Sequence, residues 1–161
     1  MATIGRNAAA LGALIARRWS DERDRAVARR AAAFARPREI LREIEPLVIG
    51  DHEAAERLAG GDAHFAGLSV RVGQDGPWRT RSPSAAWAEA LHGFGWLDDA
   101  MAAARSDRAV LRDWAFDWLA RYGGGAGPGW RPDLAGRRAA RLAVAGPMLL
   151  KDAPKRATRR W

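Results

Sequence analysis

The sequence predicts a mainly α fold, an array of helical hairpins carrying one small β-hairpin near residues 64–72. Three observations point there. Six of the eight tryptophans lie between Trp78 and Trp130, at spacings of about a helical hairpin. Leu111, Trp114, Ala115, Phe116, Trp118 and Leu119 surround one segment almost completely, and a helix apolar on most sides is packed on most sides. Phe65, Leu68, Val70 and Val72 alternate around Ala66-Gly67, the pattern of a short hairpin. No repeat is visible by identity. Helix, short turn, helix with a Trp in each unit is still the grammar of an α/α array.

The elements follow in order. Residues 7–35 read as a long helix that Pro37 ends, with Leu11, Leu14, Ile15, Trp19, Val27 and Phe34 as an interrupted apolar stripe. Its basic face could meet nucleic acid or a membrane surface. Asp21, Glu22 and Asp24 interleave with Arg23 and Arg25, which favours a solvated, salt-bridged face instead. Residues 38–60 hold short helical pieces broken by Pro46 and Gly50. Asp51 is a good N-cap for 52–59, and Gly60-Gly61 a good stop. After the hairpin, residues 73–83 form a loop with Pro77 and Pro83.

Ser84 caps a helix expected to run over about 85–105. Trp87, Leu91, Phe94, Leu97 and Met101 share one face. Glu89, His92, Trp96 and Asp99 share another. Gly93 and Gly95 should each cost about 1 kcal/mol inside a helix, so they mark the close approach of a backbone or a ligand. Ser106 or Asp107 caps the next helix, to about Tyr122. Gly123–Gly129 lacks the Lys-Ser/Thr of a phosphate loop and reads as a flexible connection. Pro132 and Asp133 open a last helix, which Gly146-Pro147 kinks or ends. The tail from Asp152 is basic and Pro-interrupted. Three regions result: an N-terminal helical arm over 1–45, a helical domain over 46–151, and a basic tail over 152–161.

At 161 residues the chain can build one domain with a core. Much of the apolar content is alanine, so Trp, Leu and Phe must supply most of the burial energy, at roughly 1.5–3 kcal/mol per large side chain. Net charge is +8, with 25 arginines and only Lys151 and Lys155 as lysines. Arginine grips carboxylates, sulfates and phosphates bidentately, so an acidic partner fits. A solvated surface with biased composition fits as well. The absence of cysteine excludes disulfides and thiolate metal sites and leaves the compartment open. No run reaches the ~20 apolar residues of a membrane span. Ala8–Ala16 resembles a short signal core. It runs straight into Arg17-Arg18-Trp19 without a cleavage motif, which favours a helix start and the cytoplasm over the periplasm.

Chemistry-bearing patterns are sparse. His52, His64 and His92 lack metal-ligand spacing, and no nucleophile elbow or cofactor loop is present, so neither metal nor cofactor nor catalytic residue is expected. The site candidates are His92 and Trp96, one turn apart beside Glu89. A flat aromatic can stack on a sugar while an imidazole bonds a hydroxyl or carboxylate. The alternative is a packed Trp with a hydrogen-bonded His between helices. Trp130-Arg131 poses the same choice. Arg137, with Arg138 and Arg141, faces either an acidic polymer or water. Tyr122, at a helix end, is not assigned as an acid or base.

One set of runs is family-like. It comprises Gly50-Asp51, Phe65-Ala66-Gly67, Pro77-Trp78, Pro83-Ser84 with Trp87, Leu91-His92-Gly93-Phe94-Gly95-Trp96-Leu97, Asp117–Arg121, and Trp130 with Pro132-Asp133 and Gly136-Arg137-Arg138. Over roughly residues 46–150 these runs resemble the N-terminal part of bacterial heparinase II/III-like proteins. The resemblance implies a partial α/α toroid, followed in that family by a β-sandwich. It also implies β-elimination on acidic, uronate-containing glycans. The family's catalytic tyrosine, histidine and asparagine lie beyond the matched runs, so none is carried onto a residue here. Leu142, Val144 and Ala145 depart from the family's aromatic and polar pattern after the Gly-Arg-Arg run, and the lysine-bearing tail fits a truncated or frame-shifted end.

The expected function is therefore an N-terminal fragment of a lyase-like protein without its own active site, with acidic polysaccharide as partner. The alternatives are a basic helical module binding nucleic acid or an acidic partner, and a structural helical protein that self-associates through exposed apolar faces.

Overall fold

The computed structural model describes residues 2–34, 44–46, 48–73, 76–125 and 127–151. The expectations for Pro37 and for the tail after Lys151 lie outside these residues. The chain is mainly α with one two-stranded antiparallel sheet. The order is α1 (Ala2–Phe34), α2 (His52–Ala59), β1 (Asp62–Phe65), β2 (Leu68–Arg71), α3 (Ala85–His92), α4 (Trp96–Ala102), α5 (Arg105–Tyr122), a 3-10 turn (Pro128–Trp130) and α6 (Pro132–Lys151).

Local signals place several elements as expected. Asp51 caps α2, its carboxylate accepting from the backbone N–H groups of Glu53 and Ala54. Ser84 Oγ accepts from the Trp87 N–H and starts α3. β1 and β2 pair with His64 opposite Ser69 and Phe65 opposite Leu68. Ala66 and Gly67 take φ 50° and 77°, the left-handed pair that a tight two-residue hairpin turn requires.

Two expectations are corrected and a third is narrowed. The helix expected over 85–105 is two helices. α3 stops at His92, and Phe94 adopts φ 62° before α4 begins at Trp96. A left-handed Phe costs roughly 1–2 kcal/mol. Complete burial against Trp96 and Trp118 offsets that cost. Neither Ser106 nor Asp107 caps α5, which starts earlier with no side-chain cap. The Arg108 guanidinium instead takes the Met101 and Ala103 carbonyls at the end of α4. α6 runs through Pro147 without ending.

The core lies where α2, α4, α5 and α6 meet, with α3 linking it to β1. Tryptophans fasten these elements as well as filling space. The indole N–H of Trp78 donates to the Trp114 carbonyl at 2.8 Å. Those of Trp87 and Trp96 donate to Ala63 and Leu91. Each indole thus buries a large ring while its one donor is satisfied. Gly50 is needed for space: a Cβ there would lie 1.9 Å from the Asp98 carbonyl oxygen.

α1 is placed differently from a core helix. Arg17, Ser20 and Asp24, at i, i+3 and i+7, turn toward the body. Leu11, Leu14, Ile15 and Trp19, on roughly the opposite side of the helix, are exposed, Trp19 by 73%. No described helix is long and apolar enough to cross a membrane.

Candidate functional site: a cleft beneath the first helix

The C-terminal end of α3, the 3-10 turn, the start of α6 and one face of α1 enclose a cleft of about 770 Å³. That volume is within the range of small-molecule sites. His92, Trp130 and Arg131, three of the five sequence candidates, line it together with Glu89. Arg17, Ser20 and Asp24 close the other wall. Sequence reasoning missed that wall, because an Arg/Asp-rich helix face looks solvated until its neighbour is known.

The other two candidates are elsewhere. Trp96 is 2% exposed, tied to Leu91 and packed on Phe94 and Trp114, so its ring faces core. The break at Gly93–Gly95 removes it from the His92 face. Arg137 is exposed on α6 and pairs with Asp133 at 3.6 Å. Its two companions do not share its face toward water. Arg138 is 3% exposed, and Arg141 pairs with Asp98 at 3.1 Å.

His92 is the floor of the cleft and is 6% exposed. The Trp118 indole N–H donates to its Nδ1 at 2.9 Å. An Nδ1 that accepts carries no proton, so the neutral ring holds its proton on Nε2. Burial, then the nearby Arg138 charge, lower the His92 pKa to about 4. Gly129 seals this pair from below. A Cβ there would sit 2.8 Å from His92 Nδ1 and 3.2 Å from the Trp118 ring.

Behind His92 lies the buried Arg138. One of its terminal nitrogens donates to the His92 and Gly129 carbonyls at 3.0 and 2.7 Å. Its guanidinium stacks 3.9 Å from the Trp118 ring centroid and 5.1 Å from that of Trp130. Burial lowers its pKa to about 10, which leaves it charged at neutral pH. No carboxylate pairs with it among the described residues. Sequence could not separate Arg138 from its neighbour Arg137, since only register decides which one turns inward.

At the rim Arg131 pairs with Glu89 and also with Asp133, fixing the start of α6 against α3. The Trp130 indole donates to the Tyr122 carbonyl at 2.6 Å. The Tyr122 ring lies 5.3 Å from His92, so α5 also supports the floor. The cleft thus offers an aromatic wall, one imidazole N–H and a balanced charged rim. No group of three or more acidic, His or Cys residues suited to a metal occurs among the described residues.

Comparison with known proteins adds one relationship. No family model matches the chain, and no solved structure matches it. Over 104 residues, 64% of this chain, it is 31% identical to the FtsZ-localized protein C of Caulobacter vibrioides. That match covers 18% of the relative, so the chain spans less than a fifth of that protein's length.

Proposed function

We propose that the chain is a non-catalytic helical module of a larger heparinase II/III-like protein. Its cleft contributes one wall of a groove for an acidic glycan. The observation that carries this reading is the meeting of the two most family-like runs at one place. His92 and Phe94 from the first run, and Trp130 and Arg138 from the second, interlock around Trp118. His92 and Trp130 line the cleft, and Phe94, Trp118 and Arg138 pack behind them. His92 cannot act as a base through Nδ1, which Trp118 occupies. Its assigned part is to donate a hydrogen bond.

The test is titration of the protein with heparin and with a neutral glycan at low and moderate salt. Saturable binding of the acidic glycan that survives moderate salt and weakens in Arg131→Ala supports the reading. Arg131 is exposed, so its removal leaves the core intact. Formation of an unsaturated uronate, seen by its ultraviolet absorbance, would refute the non-catalytic part.

A second reading rests on the relative. FtsZ-localized protein C carries its localisation in its name, and the matched module could serve association with a division assembly. The exposed Leu11, Leu14, Ile15 and Trp19 face is one apolar surface among the described residues open to such a contact. Co-sedimentation with FtsZ polymers, lost in Leu14→Asp, supports this reading. Co-sedimentation unchanged in Leu14→Asp, or none at all, counts against it.

A further inference from the structure

We infer that the outward face of α1 is a self-association surface. Leu11, Ile15 and Trp19 pair with the same three residues of a second copy, the two helices running antiparallel about a two-fold axis at Ile15. The inference goes beyond both readings above and depends on neither.

α1 is turned the opposite way from an ordinary surface helix. Arg17, Ser20 and Asp24 take the side toward the body, and the apolar side is left to water. Leu11, Leu14, Ile15 and Trp19 are each exposed by 50–73%. Leu11, Ile15 and Trp19 follow at intervals of four, so they form one ridge about 12 Å long, with Leu14 in the row beside it. The four residues expose on the order of 500 Å² per copy, a large contiguous patch for a monomer. Covering that patch on both copies reaches about 1,000 Å², where a specific interface begins. The area therefore fits a weak, reversible dimer.

The symmetry of the ridge singles out a second copy as the occupant. Leu11 and Trp19 each lie four residues from Ile15. A two-fold axis through Ile15 therefore sets Leu11 of each copy against Trp19 of the other. A patch that matches itself in this way is what an isologous contact requires. Gly12, beside Leu11, has open space where a Cβ would lie, which leaves room for the partner's Trp19 ring.

The charges fix the direction. Residues 7–16 carry no charge, and the charged run begins at Arg17. In the antiparallel pair, residues 17–23 of one copy lie against residues 7–13 of the other, so no like charges meet along the ridge. A parallel pair would set Arg18 against Arg18 and Glu22 against Glu22, at a cost in repulsion. Antiparallel helices also oppose their dipoles favourably.

The chain has no cysteine, so single cysteines can be placed without background. Sedimentation velocity of the full chain over a range of concentrations should show a monomer–dimer equilibrium with a dissociation constant in the micromolar range. Leu14→Asp should weaken it at least tenfold. Leu68→Asp, at an exposed apolar residue of the hairpin, should change it less than threefold. A short bismaleimide should link Ile15→Cys to itself. It should also link Leu11→Cys to Trp19→Cys when the two are mixed, and neither of them to itself. Far-ultraviolet circular dichroism verifies that α1 stays helical in each variant. Self-linking of Leu11→Cys overturns the antiparallel pairing. A chain that stays monomeric throughout, or a dimer indifferent to Leu14→Asp, overturns the inference. So does a Trp19 that becomes shielded only when FtsZ polymers or anionic vesicles are added, since the face then belongs to that partner.

Discussion

Trp118 and His92, 26 residues apart, are joined by one hydrogen bond, from the indole N–H to Nδ1 at 2.9 Å, and that bond decides the protonation state of the imidazole. It links α5 to the end of α3, with Arg138 stacked on the indole and Gly129 packed beneath. The consequences can be measured one residue at a time.

Trp118→Phe keeps most of the ring volume and removes the donor. His92 Nδ1 is then buried without a partner, and Arg138 loses its best ring face. Unfolding in urea should show a loss of about 2–4 kcal/mol, the sum of an unmade buried hydrogen bond and lost packing. A loss under 0.5 kcal/mol would mean the bond contributes nothing.

The folded His92 pKa of about 4 lies below its ordinary 6.5. A depressed pKa means the unfolded chain binds the proton more readily, so this contribution is complete above pH 6.5. It is lost progressively as pH falls toward 4, and the total is about 3 kcal/mol. Burial raises the Asp99 pKa, so its contribution runs the opposite way, weakening as pH rises through the carboxylate range. Stability measured from pH 7 to pH 4 should therefore fall in wild type and fall less in His92→Asn. Parallel curves for the two proteins would contradict this.

Arg138→Ala should cost about 3–5 kcal/mol, because the His92 and Gly129 carbonyls lose their donor and two indoles lose a packed neighbour. Arg137→Ala, one residue away and exposed, should stay within about 0.5 kcal/mol. Comparable effects at the two sites would mean that α6 is rotated from its described register.

The tryptophans divide the same way. Trp96→Ala should destabilise by about 3–5 kcal/mol, and Trp19→Ala by no more than about 0.5 kcal/mol. Trp19 emission should also be readily quenched by a soluble quencher. A protected Trp19 at high protein concentration, released on dilution, would show its face covered by another copy.

The parts of the fold legible in sequence were those carried by local chemistry. Asp51 and Ser84 caps, and the Ala66-Gly67 turn, need only a few neighbouring residues to specify them. The break at Phe94 was not legible. Leu91 and Leu97 continue a helical stripe, and the left-handed Phe is held by Trp118 and Arg138 from other elements. The start of α5 was missed because no side chain caps it, while Arg108 from within α5 donates to the Met101 and Ala103 carbonyls at the end of α4. For the site, the sequence singled out His92, Trp130 and Arg131, which do meet. It also singled out Trp96, whose place on the His92 face depended on a continuous helix. Arg17, Ser20 and Asp24 were invisible as a wall, because nothing in their own segment says what α1 lies against.

The most direct test of the account is the protonation state of His92, read by a long-range proton–nitrogen NMR spectrum of ¹⁵N-labelled protein between pH 8 and pH 4.5. The account predicts a proton on Nε2, none on Nδ1, and little titration until pH approaches about 4. A ring that titrates near 6.5, or carries its proton on Nδ1, would contradict it.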